Sequence, residues 1–404
     1  METDIVDVVG AGLAGCECAC QLADRGVRVR LHEMRPQTMS PAHHTGHMAE
    51  LVCSNSFKST RDDSAAGLLK NELRRMGSVL VSCAERAQVP AGGALAVDRD
   101  EFSRFVEQEV SSRPGIEVVR GEVAGIPDGH AVIAAGPLCS PALSARVLEL
   151  VGGEALSFYD AAAPIVDAES LDRSVLFCQS RYGEEGTGDY LNAPLDREEY
   201  TAFIDALVSA DRVVLKDFES GDLFQACQPA EEVARKGPDA IRFGAMKPVG
   251  LTDPRTGRRP WAAVQLRAEN ADRTAYNLVG FQTNLTFGEQ RRVFRMIPGL
   301  GNAEFFCYGV MHRNTFVDAP RVLDGTFRVP GTKVRLAGQI TGTEGYTEAI
   351  ASGLVAALNT YADLTGAGAL ELPRTGAFGS LVAYATDPGT VDYQPMHVNF
   401  GIVP

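Results

Sequence analysis

Two cysteines have polar neighbours, and a thiol in such surroundings can do chemistry. Cys53 lies in "AELVCSNSFKS", residues 49–59, and Cys227 lies in "FQACQPAEE", residues 224–232. A thiolate can add to an electrophilic carbon or take a proton, so a pair of such residues is typical of covalent catalysis. Single cysteines are more often small, buried, apolar side chains. The residues alone therefore leave two interpretations open, a reactive thiol or a packed side chain.

Bulk composition restricts the class of protein. The chain has 404 residues, 45% of them hydrophobic and 22% charged, which is typical of a globular protein with a large core. Its nine cysteines are odd in number and include no CxxC pair, so we predict neither a disulfide framework nor a metal site. Cys16, Cys18 and Cys20 alternate along a predicted helix, do not share one face, and are predicted to be packing residues.

The expected location is the cytoplasm, and no contact with a membrane is expected. The N-terminus has no basic region followed by an apolar stretch and a cleavage site, and no apolar run approaches the ~20 residues of a membrane span. Reduced thiols fit that compartment. The net charge of −14 excludes a protein that is positive over its whole surface, but it does not exclude a local basic patch.

The first 33 residues have the pattern of a dinucleotide site. A short apolar strand at residues 5–9 precedes "GAGLAG", and a helix over residues 13–25 and a second strand ending at Glu33 follow. In a G-x-G-x-x-G turn the first glycine permits the turn, the second lets backbone approach a pyrophosphate, and the third lets helix and strand pack. The helix N-terminus attracts phosphate, and a carboxylate about 20 residues on binds ribose. The predicted cofactor-binding residues are Gly10, Ala11, Gly12, Leu13, Ala14, Gly15 and Glu33.

Two later segments are typical of the same fold. "AVIAAGP", residues 131–137, is a strand that enters a glycine turn, and "VRLAGQITGTEGYTEAIASGLVAA", residues 334–357, is a strand, a glycine-rich loop and a helix. Gly338, Gly342 and Gly345 would bring backbone against a flavin and its phosphates. We therefore predict an α/β protein whose Rossmann-like FAD-binding domain combines residues 1–156 and 309–404. Residues 157–308 would form an inserted α+β domain.

Nine blocks of sequence, in order along nearly the whole chain, resemble one family. They are "VVGAGLAG", "HEMRP", "SPAHHTGHMAELVCSNS", "PAGGALAVDRDEF", "FYDAAAPIV", "GAMKPVGL", "NLVGFQTNLTFGEQ", "YGVMHRNTF" and "AGQITGTEGYTEAIASGL". Together they resemble the folate- and FAD-dependent tRNA (uracil-5-)-methyltransferases, the TrmFO family, whose wider relatives are the GidA/MnmG flavoproteins. The resemblance implies transfer of a one-carbon unit from methylenetetrahydrofolate, by way of FAD, to C5 of U54 in the tRNA T-loop. NADPH or NADH would supply electrons, and ribothymidine would be the product.

The resemblance also implies roles for individual residues. The family's catalytic cysteines match Cys227, as the nucleophile toward C6 of uracil, and Cys53, as the partner that takes the C5 proton; which of the two has which role stays open. His312 matches a histidine that stacks on the pterin of folate, and Arg313 and Asn314 are expected to contact folate or flavin. For Tyr346, a place beside the isoalloxazine and an ordinary helix-start aromatic are both considered.

A tRNA partner needs a positive surface, because phosphate contacts dominate affinity. The segment "DPRTGRRPW", residues 253–261, carries Arg258 and Arg259 beside Trp261, the only tryptophan. Further arginines follow it, namely Arg267, Arg273, Arg291, Arg292 and Arg295. Arginines beside an aromatic ring suit single-stranded loops, so RNA rather than DNA is the expected partner. A solvated charged face is the alternative interpretation.

Four other functions remain open from the sequence. A relative that methylates ribosomal RNA would use the same chemistry. A GidA-type enzyme for the wobble uridine is disfavoured by the Cys53 and "MHRNTF" blocks. A flavin oxidoreductase for a small molecule or disulfide is disfavoured because no CxxxxC pair is present, and a flavin-binding scaffold without catalysis is the last alternative. No second G-x-G-x-x-G offers a resident nicotinamide site, so NADPH or NADH is expected to visit transiently.

Overall fold

The chain, in a computed structural model, is described for residues 5–152, 156–181, 188–213, 228–390 and 393–404, with backbone only at 156–160, 312 and 313. The strands, numbered along the chain, are β1 (Ile5–Val9), β2 (Arg28–Glu33), β3 (Ser56–Ser59), β4 (Gln88–Val89), β5 (Ala94–Val97), β6 (Ile116–Arg120), β7 (Ala131–Ile133), β8 (Leu156–Ala161), β9 (Ile165–Asp167), β10 (Phe177–Cys178), β11 (Tyr190–Leu195), β12 (Ala262–Ala268), β13 (Ala275–Leu278), β14 (Phe305–Cys307), β15 (Met311–Phe316) and β16 (Val334–Leu336). The helices are α1 (Leu13–Ala23), α2 (Ala65–Arg75), α3 (Val79–Arg86), α4 (Arg99–Ser111), α5 (Pro141–Val151), α6 (Arg197–Ser209), α7 (Ala230–Arg235), α8 (Phe287–Phe294), α9 (Ala319–Val322), α10 (Tyr346–Thr365) and α11 (Ala377–Thr386), with 3-10 turns at Ala168–Ser170 and Gln339–Thr341.

A five-stranded parallel sheet takes strands from both ends of the chain. Its order is β16-β7-β1-β2-β6, so β16 pairs with β7 beside the N-terminal strand β1. The strands β7 and β16 are buried along their whole length, β7 inside the sheet and β16 at its edge. This sheet with its helices confirms the predicted α/β class.

Helices α1 and α10 pack against each other over this sheet at very short distance. A Cβ on Gly15 would lie 1.8 Å from the carbonyl oxygen of Gly10, and a Cβ on Gly353 would lie 2.2 Å from that of Ala14. Only glycine permits both approaches. Cys16, Cys18 and Cys20 of α1 are fully buried in the core around this sheet, and burial raises their thiol pKa values, so they act as small apolar residues.

A six-stranded sheet forms the second unit, in the order β10-β11-β12-β13-β9-β14 with antiparallel pairing throughout. Helices α6 and α8 pack on it, and edge-to-face contacts of Phe203 and Phe294 with Phe281 lie in its core. Helices segregated to one sheet are typical of an α+β arrangement. The antiparallel pair of β8 and β15 connects the two units, and β3, β5 and β4 form a small third sheet.

One boundary differs from the sequence expectation and one agrees with it. Helix α1 ends at Ala23 rather than at Arg25, and Asp24 caps it with helical backbone angles before Gly26 turns the chain at φ +79°. Strand β2 ends at Glu33, as expected, and pairs with β6 as far as Arg120. Within the described ranges no helix is long and apolar enough to cross a membrane.

Candidate cofactor and thiol site

A cavity opens at the carboxyl ends of the parallel strands, where ligands of open α/β sheets bind. Its lining atoms enclose about 1140 Å³, a volume that includes open solvent at the mouth. Both glycine loops contribute to its wall, together with Glu33, Cys53, Asn314 and Tyr346. Residues from positions 9 to 349 therefore meet in one place.

Gly10 and Gly12 of the first loop have different surroundings. Gly10 has φ +105°, and a Cβ there would lie 2.5 Å from the carbonyl oxygen of Ala134. A Cβ on Gly12, by contrast, would meet nothing within 4 Å. Gly12 is the N-cap of α1 and offers no side chain to that helix end. The open space at the helix N-terminus leaves room for an anionic group, which that helix end attracts.

Glu33 lies at the cavity with both carboxylate oxygens occupied by protein donors. Oε2 accepts from Ala11 N at 3.0 Å and Arg35 Nη2 at 3.3 Å, and Oε1 accepts from Arg35 N and Nε, each at 2.9 Å. Burial alone raises the pKa of Glu33, but the bonds from Arg35 and Ala11 outweigh it and hold that pKa below its ordinary value. Four donors meet about four lone-pair sites, so a ribose hydroxyl would have to share or displace one of them. The sequence analysis missed Arg35.

The second glycine loop leads into α10 through three positive φ angles, +82° at Gly338, +77° at Gly342 and +114° at Gly345. A Cβ on Gly342 would lie 2.3 Å from the hydroxyl oxygen of Tyr393, so this backbone must be glycine. Gly338 N donates to Ser352 Oγ at 2.7 Å, which fixes the loop on its own helix. The N-terminus of α10, like that of α1, therefore reaches the cavity wall.

Cys53 is partly buried at this cavity, and Tyr346 holds the backbone around it. The Tyr346 hydroxyl accepts from Cys53 N and Ser54 N, both at 3.1 Å, and donates to Ser54 O at 2.9 Å. Its oxygen also lies 3.3 Å from Cys53 Sγ. Burial, and then the negative charge of a Cys53 thiolate, raise the pKa of Tyr346 well above its ordinary value. The hydroxyl therefore stays neutral and has one proton to give, either to Ser54 O or to a thiolate at Cys53.

An ion pair supports the Cys53 loop from the other side. Arg99 Nη1 donates to the carbonyl oxygens of Leu51 and Val52, and Arg99 Nε donates to Glu269 Oε2 at 2.6 Å. Burial by itself lowers the pKa of Arg99, but Glu269 chiefly, with Tyr346 and Cys53, raises it above its ordinary value. A guanidinium close to a cysteine stabilises the thiolate form.

The two residues after Cys53 attach the six-stranded sheet to the cavity. Asn55 Nδ2 donates to Ala268 O at 3.1 Å, and Arg267 donates to Asn55 Oδ1 at 2.7 Å and to Ser54 Oγ at 3.0 Å. The expectation that Arg267 belongs to an exposed basic stretch is therefore wrong, because Arg267 is 6% exposed and its guanidinium is used in this contact. The sequence analysis missed Arg99 and Glu269 as supports, although Arg99 lies in the "DRDEF" block.

Asn314 reaches the cavity from β15. Its side chain is 1% exposed, and Oδ1 has no hydrogen-bond partner in the part of the chain that the structure describes. A buried amide oxygen without a partner at a cavity wall indicates a ligand contact. His312 and Arg313 lie on the same strand, but their side chains are outside the described residues, as is Cys227.

The arginines of the expected basic segment behave differently from one another. Arg258 and Arg259 are exposed, whereas Arg255 is bound to Asp253 at 2.8 Å. Arg242 lies over the ring of Trp261, 3.8 Å from its centroid. The exposed positive charge of this segment is therefore smaller than its arginine count suggests.

Fold and site together define a dinucleotide-binding α/β protein with a cysteine in the cofactor cavity. FAD fits the cradle, because two helix N-termini, the open space at Gly12 and the Asn314 amide oxygen, which has no hydrogen-bond partner among the described residues, face one cavity. The described residues contain no group of three or more side chains that could hold a metal ion.

Comparison with known proteins gives the family. The sequence pattern of the family described as "Glucose inhibited division protein A" matches residues 5–367. Proteins named "Methylenetetrahydrofolate--tRNA-(uracil-5-)-methyltransferase TrmFO" are similar over the full length. The protein of Geobacter sulfurreducens is 54% identical over 100% of this chain and 93% of its own, and that of Moorella thermoacetica is 54% identical over 100% and 92%. The chain therefore belongs to the glucose inhibited division protein A family, among the relatives that bear the TrmFO name.

A solved structure agrees in fold. GidA of Aquifex aeolicus, in its form II crystal, superimposes with a TM-score of 0.73 over 94% of this chain and 67% of its own, at 16% sequence identity. At that identity the likeness supports the fold alone. The likeness to GidA therefore does not support the wobble-uridine alternative. The relatives at 54% identity favour the uracil-5-methyltransferase.

Proposed function

We propose that the protein methylates C5 of uracil in tRNA, with methylenetetrahydrofolate as one-carbon donor, FAD as cofactor and NADPH or NADH as reductant. The observation that carries the proposal is that Cys53 opens into the same cavity as both glycine loops, with its backbone held by Tyr346. Relatives at 54% identity carry the name of this activity. Within tRNA, we propose U54 of the T-loop as the target, and the cytoplasm as the location.

FAD would lie between the N-termini of α1 and α10. Backbone N–H groups after Gly12 would bind the pyrophosphate, and Glu33 with Arg35 would face the ribose. The side-chain amide of Asn314 would form a hydrogen bond with the flavin or with folate. When bound, FAD would carry the one-carbon unit and would supply the electrons that reduce it.

Uracil C5 is a weak nucleophile, so the reaction needs a thiol that activates it. A thiolate that adds to C6 pushes the C5–C6 electron pair onto the ring as an enolate, and C5 can then form the new carbon–carbon bond. A base then takes the C5 proton, the C5–C6 double bond forms again, and the thiolate leaves. We propose Cys227 as the C6 nucleophile and Cys53 as the group that takes the proton, with Arg99 stabilising its thiolate and Tyr346 orienting it.

The remaining substrate contacts follow from the family pattern. We propose that His312 stacks on the pterin, that Arg313 contacts folate, and that Arg258 and Arg259 contact RNA phosphates. The proposed division is a cofactor domain of residues 1–156 and 309–404 and an inserted domain of residues 157–308. This division places Arg258 and Arg259 on the inserted domain.

The test is an assay with purified protein, unmodified tRNA or ribosomal RNA, methylenetetrahydrofolate and NADPH or NADH. We expect 5-methyluridine in tRNA, mapped to U54 by mass spectrometry. Cys53→Ala and Cys227→Ala should each keep FAD, read from the visible absorption spectrum, and lose methyl transfer. Cys178→Ala, at an exposed thiol outside the cavity, is the matched control and should keep both.

Three results would contradict the proposal. Methylation of ribosomal RNA and not of tRNA would show that ribosomal RNA is the substrate. Full activity of Cys227→Ala would remove the assignment of that residue, and full activity of Cys53→Ala would show that another base acts. A colourless protein that cannot be reconstituted with FAD would exclude the whole chemistry.

A further inference from the structure

Three aromatic rings form a column at the edge of the six-stranded sheet. Tyr308 lies in the middle, with Phe287 stacked on one face and Phe305 on the other. The ring centroids are 4.9 Å apart for Phe287 and Tyr308, with planes 17° from parallel, and 5.1 Å and 14° for Phe305 and Tyr308. The ring pairs in the core of the same unit are edge-to-face, with interplanar angles of 61° for Phe203 and Phe281 and 84° for Phe281 and Phe294. The column differs from them because both of its contacts are nearly parallel.

Buried hydrogen bonds hold the column rigid. The amide of Gln290, which is fully buried, donates to Gly309 O at 2.8 Å and accepts from Gly309 N at 2.7 Å. A Cβ on Gly309 would lie 2.5 Å from Thr283 Cγ2, so the segment that carries Tyr308 is pressed against its neighbours. Helix α8, which carries Phe287, and the segment after β14 that carries Tyr308 are therefore joined next to the column. Its rings are set in place before any ligand arrives, which lowers the entropy cost of binding.

The Phe287 end of the column faces solvent. Phe287 is 55% exposed although it is a large apolar side chain at the first position of α8. Arg291 follows four residues later, one helical turn along the same face. Arg291 is exposed and forms no ion pair within the described ranges, unlike Arg292, which is paired with Glu289. An open aromatic face with an uncompensated cation one turn away is the combination that single-stranded nucleic acid requires.

The column lies within reach of the cofactor cavity. Tyr308 precedes Asn314 by six residues, and the chain between them is mostly the extended strand β15, so the separation is about 20 Å at most. A separation of this size is spanned by a few nucleotides of a hairpin loop, so a base near the target uracil could reach the column.

We propose that an unpaired base of the RNA substrate stacks on the open face of Phe287, and that Arg291 contacts a phosphate beside it. The proposal rests on the proposed function and deepens it, because it names the surface that reads the RNA loop. A stacking contact accepts any base, so this surface positions the loop rather than selecting its sequence. The p-aminobenzoyl ring of folate is the competing planar occupant, and the test distinguishes the two.

The first test measures binding of a T-arm hairpin with loop purines replaced, one at a time, by 2-aminopurine, whose fluorescence falls on stacking. With wild-type protein at least one position should be quenched. Phe287→Ala should abolish that quenching and weaken binding about 5- to 150-fold, while Phe287→Trp should retain it. Phe306→Ala is the matched control, since Phe306 is 60% exposed and lies next to the column without a ring partner among the described residues; it should change binding less than about twofold.

The second test separates RNA from folate. Phe287→Ala should raise KM for RNA and leave KM for methylenetetrahydrofolate and the FAD content unchanged, and Arg291→Gln should lower the salt dependence of RNA binding by about one unit of log–log slope. The proposal is overturned if Phe287→Ala binds RNA as wild type does, if Phe306→Ala is equally weakened, or if only KM for folate rises. A wild-type protein that quenches the hairpin but forms no 5-methyluridine would instead refute the proposed function and leave the stacking contact standing.

Discussion

Replacing Arg99 with methionine tests how the Cys53 loop is supported. The change keeps the length of the apolar stem and removes the guanidinium that donates to Leu51 O, Val52 O and Glu269 Oε2. The Glu269 side chain is 7% exposed, and its Oε1 already has no hydrogen-bond partner in the described part of the chain. The variant therefore leaves a nearly buried carboxylate without its hydrogen-bonded cation, while the buried Arg267 guanidinium remains near it.

The expected cost is large because a charge loses its partner inside the protein. Removing one member of a buried ion pair costs about 3–5 kcal/mol, and the lower end applies here since the Arg99 side chain is 22% exposed. Changing Glu269 to glutamine as well removes the carboxylate charge that has lost its ion pair. R99M/E269Q should therefore recover at least about 1 kcal/mol of the free energy of unfolding that R99M loses. The single variant E269Q completes a double-mutant cycle, and the coupling should be about 1–3 kcal/mol.

The assay is urea unfolding followed by far-UV circular dichroism, with methyl transfer measured on the same samples. Activity of R99M should fall more than its FAD content, because the loop that carries Cys53 loses its support while the glycine loops are untouched. Arg104→Met is a suitable control, since Arg104 forms an exposed pair with Glu101 and an exposed contact over the Phe105 ring, and its loss should cost less than about 2 kcal/mol. The reasoning is refuted if R99M/E269Q is no more stable than R99M, or if R99M costs no more than the control.

Further predictions concern the cavity wall and buried charges. Gly12→Val should fold normally and lose FAD, read from the absorption spectrum, because its side chain fills the space that a pyrophosphate needs; a yellow variant would disprove the placement. The pKa of Glu33 is lowered, so its contribution to stability is present above about pH 4.3 and is lost as pH falls through the folded value; Glu33→Gln should remove this part of acid unfolding. Burial lowers the pKa of Lys70 to about 8, so the folded state releases this proton first and stability should rise between about pH 8 and 10.4, a rise that Lys70→Met should flatten. Tyr346→Phe should retain FAD and cost about 1–3 kcal/mol in unfolding, because two backbone N–H groups lose their acceptor; an unchanged urea midpoint would contradict this.

The sequence by itself determined the cofactor half of this protein. A G-x-G-x-x-G motif lies within one continuous strand–turn–helix–strand segment of about 30 residues, so the spacing of Gly10, Gly12 and Gly15 was enough to predict a strand, a turn and a helix N-terminus open to phosphate. The α/β class followed from this segment together with the strand, glycine-rich loop and helix of residues 334–357. The order of sequence blocks gave the family.

Only the tertiary structure decided how the thiol is held. Tyr346 is 293 residues from Cys53, and Arg99 is 170 residues from Glu269, so no local spacing connects either pair. The sequence did not show which arginines are buried. Arg258 is exposed, whereas Arg267 is buried and donates a hydrogen bond to Asn55. A residue's type and spacing fix what chemistry it can do, whereas its partners and its burial depend on which distant strands the fold places beside it.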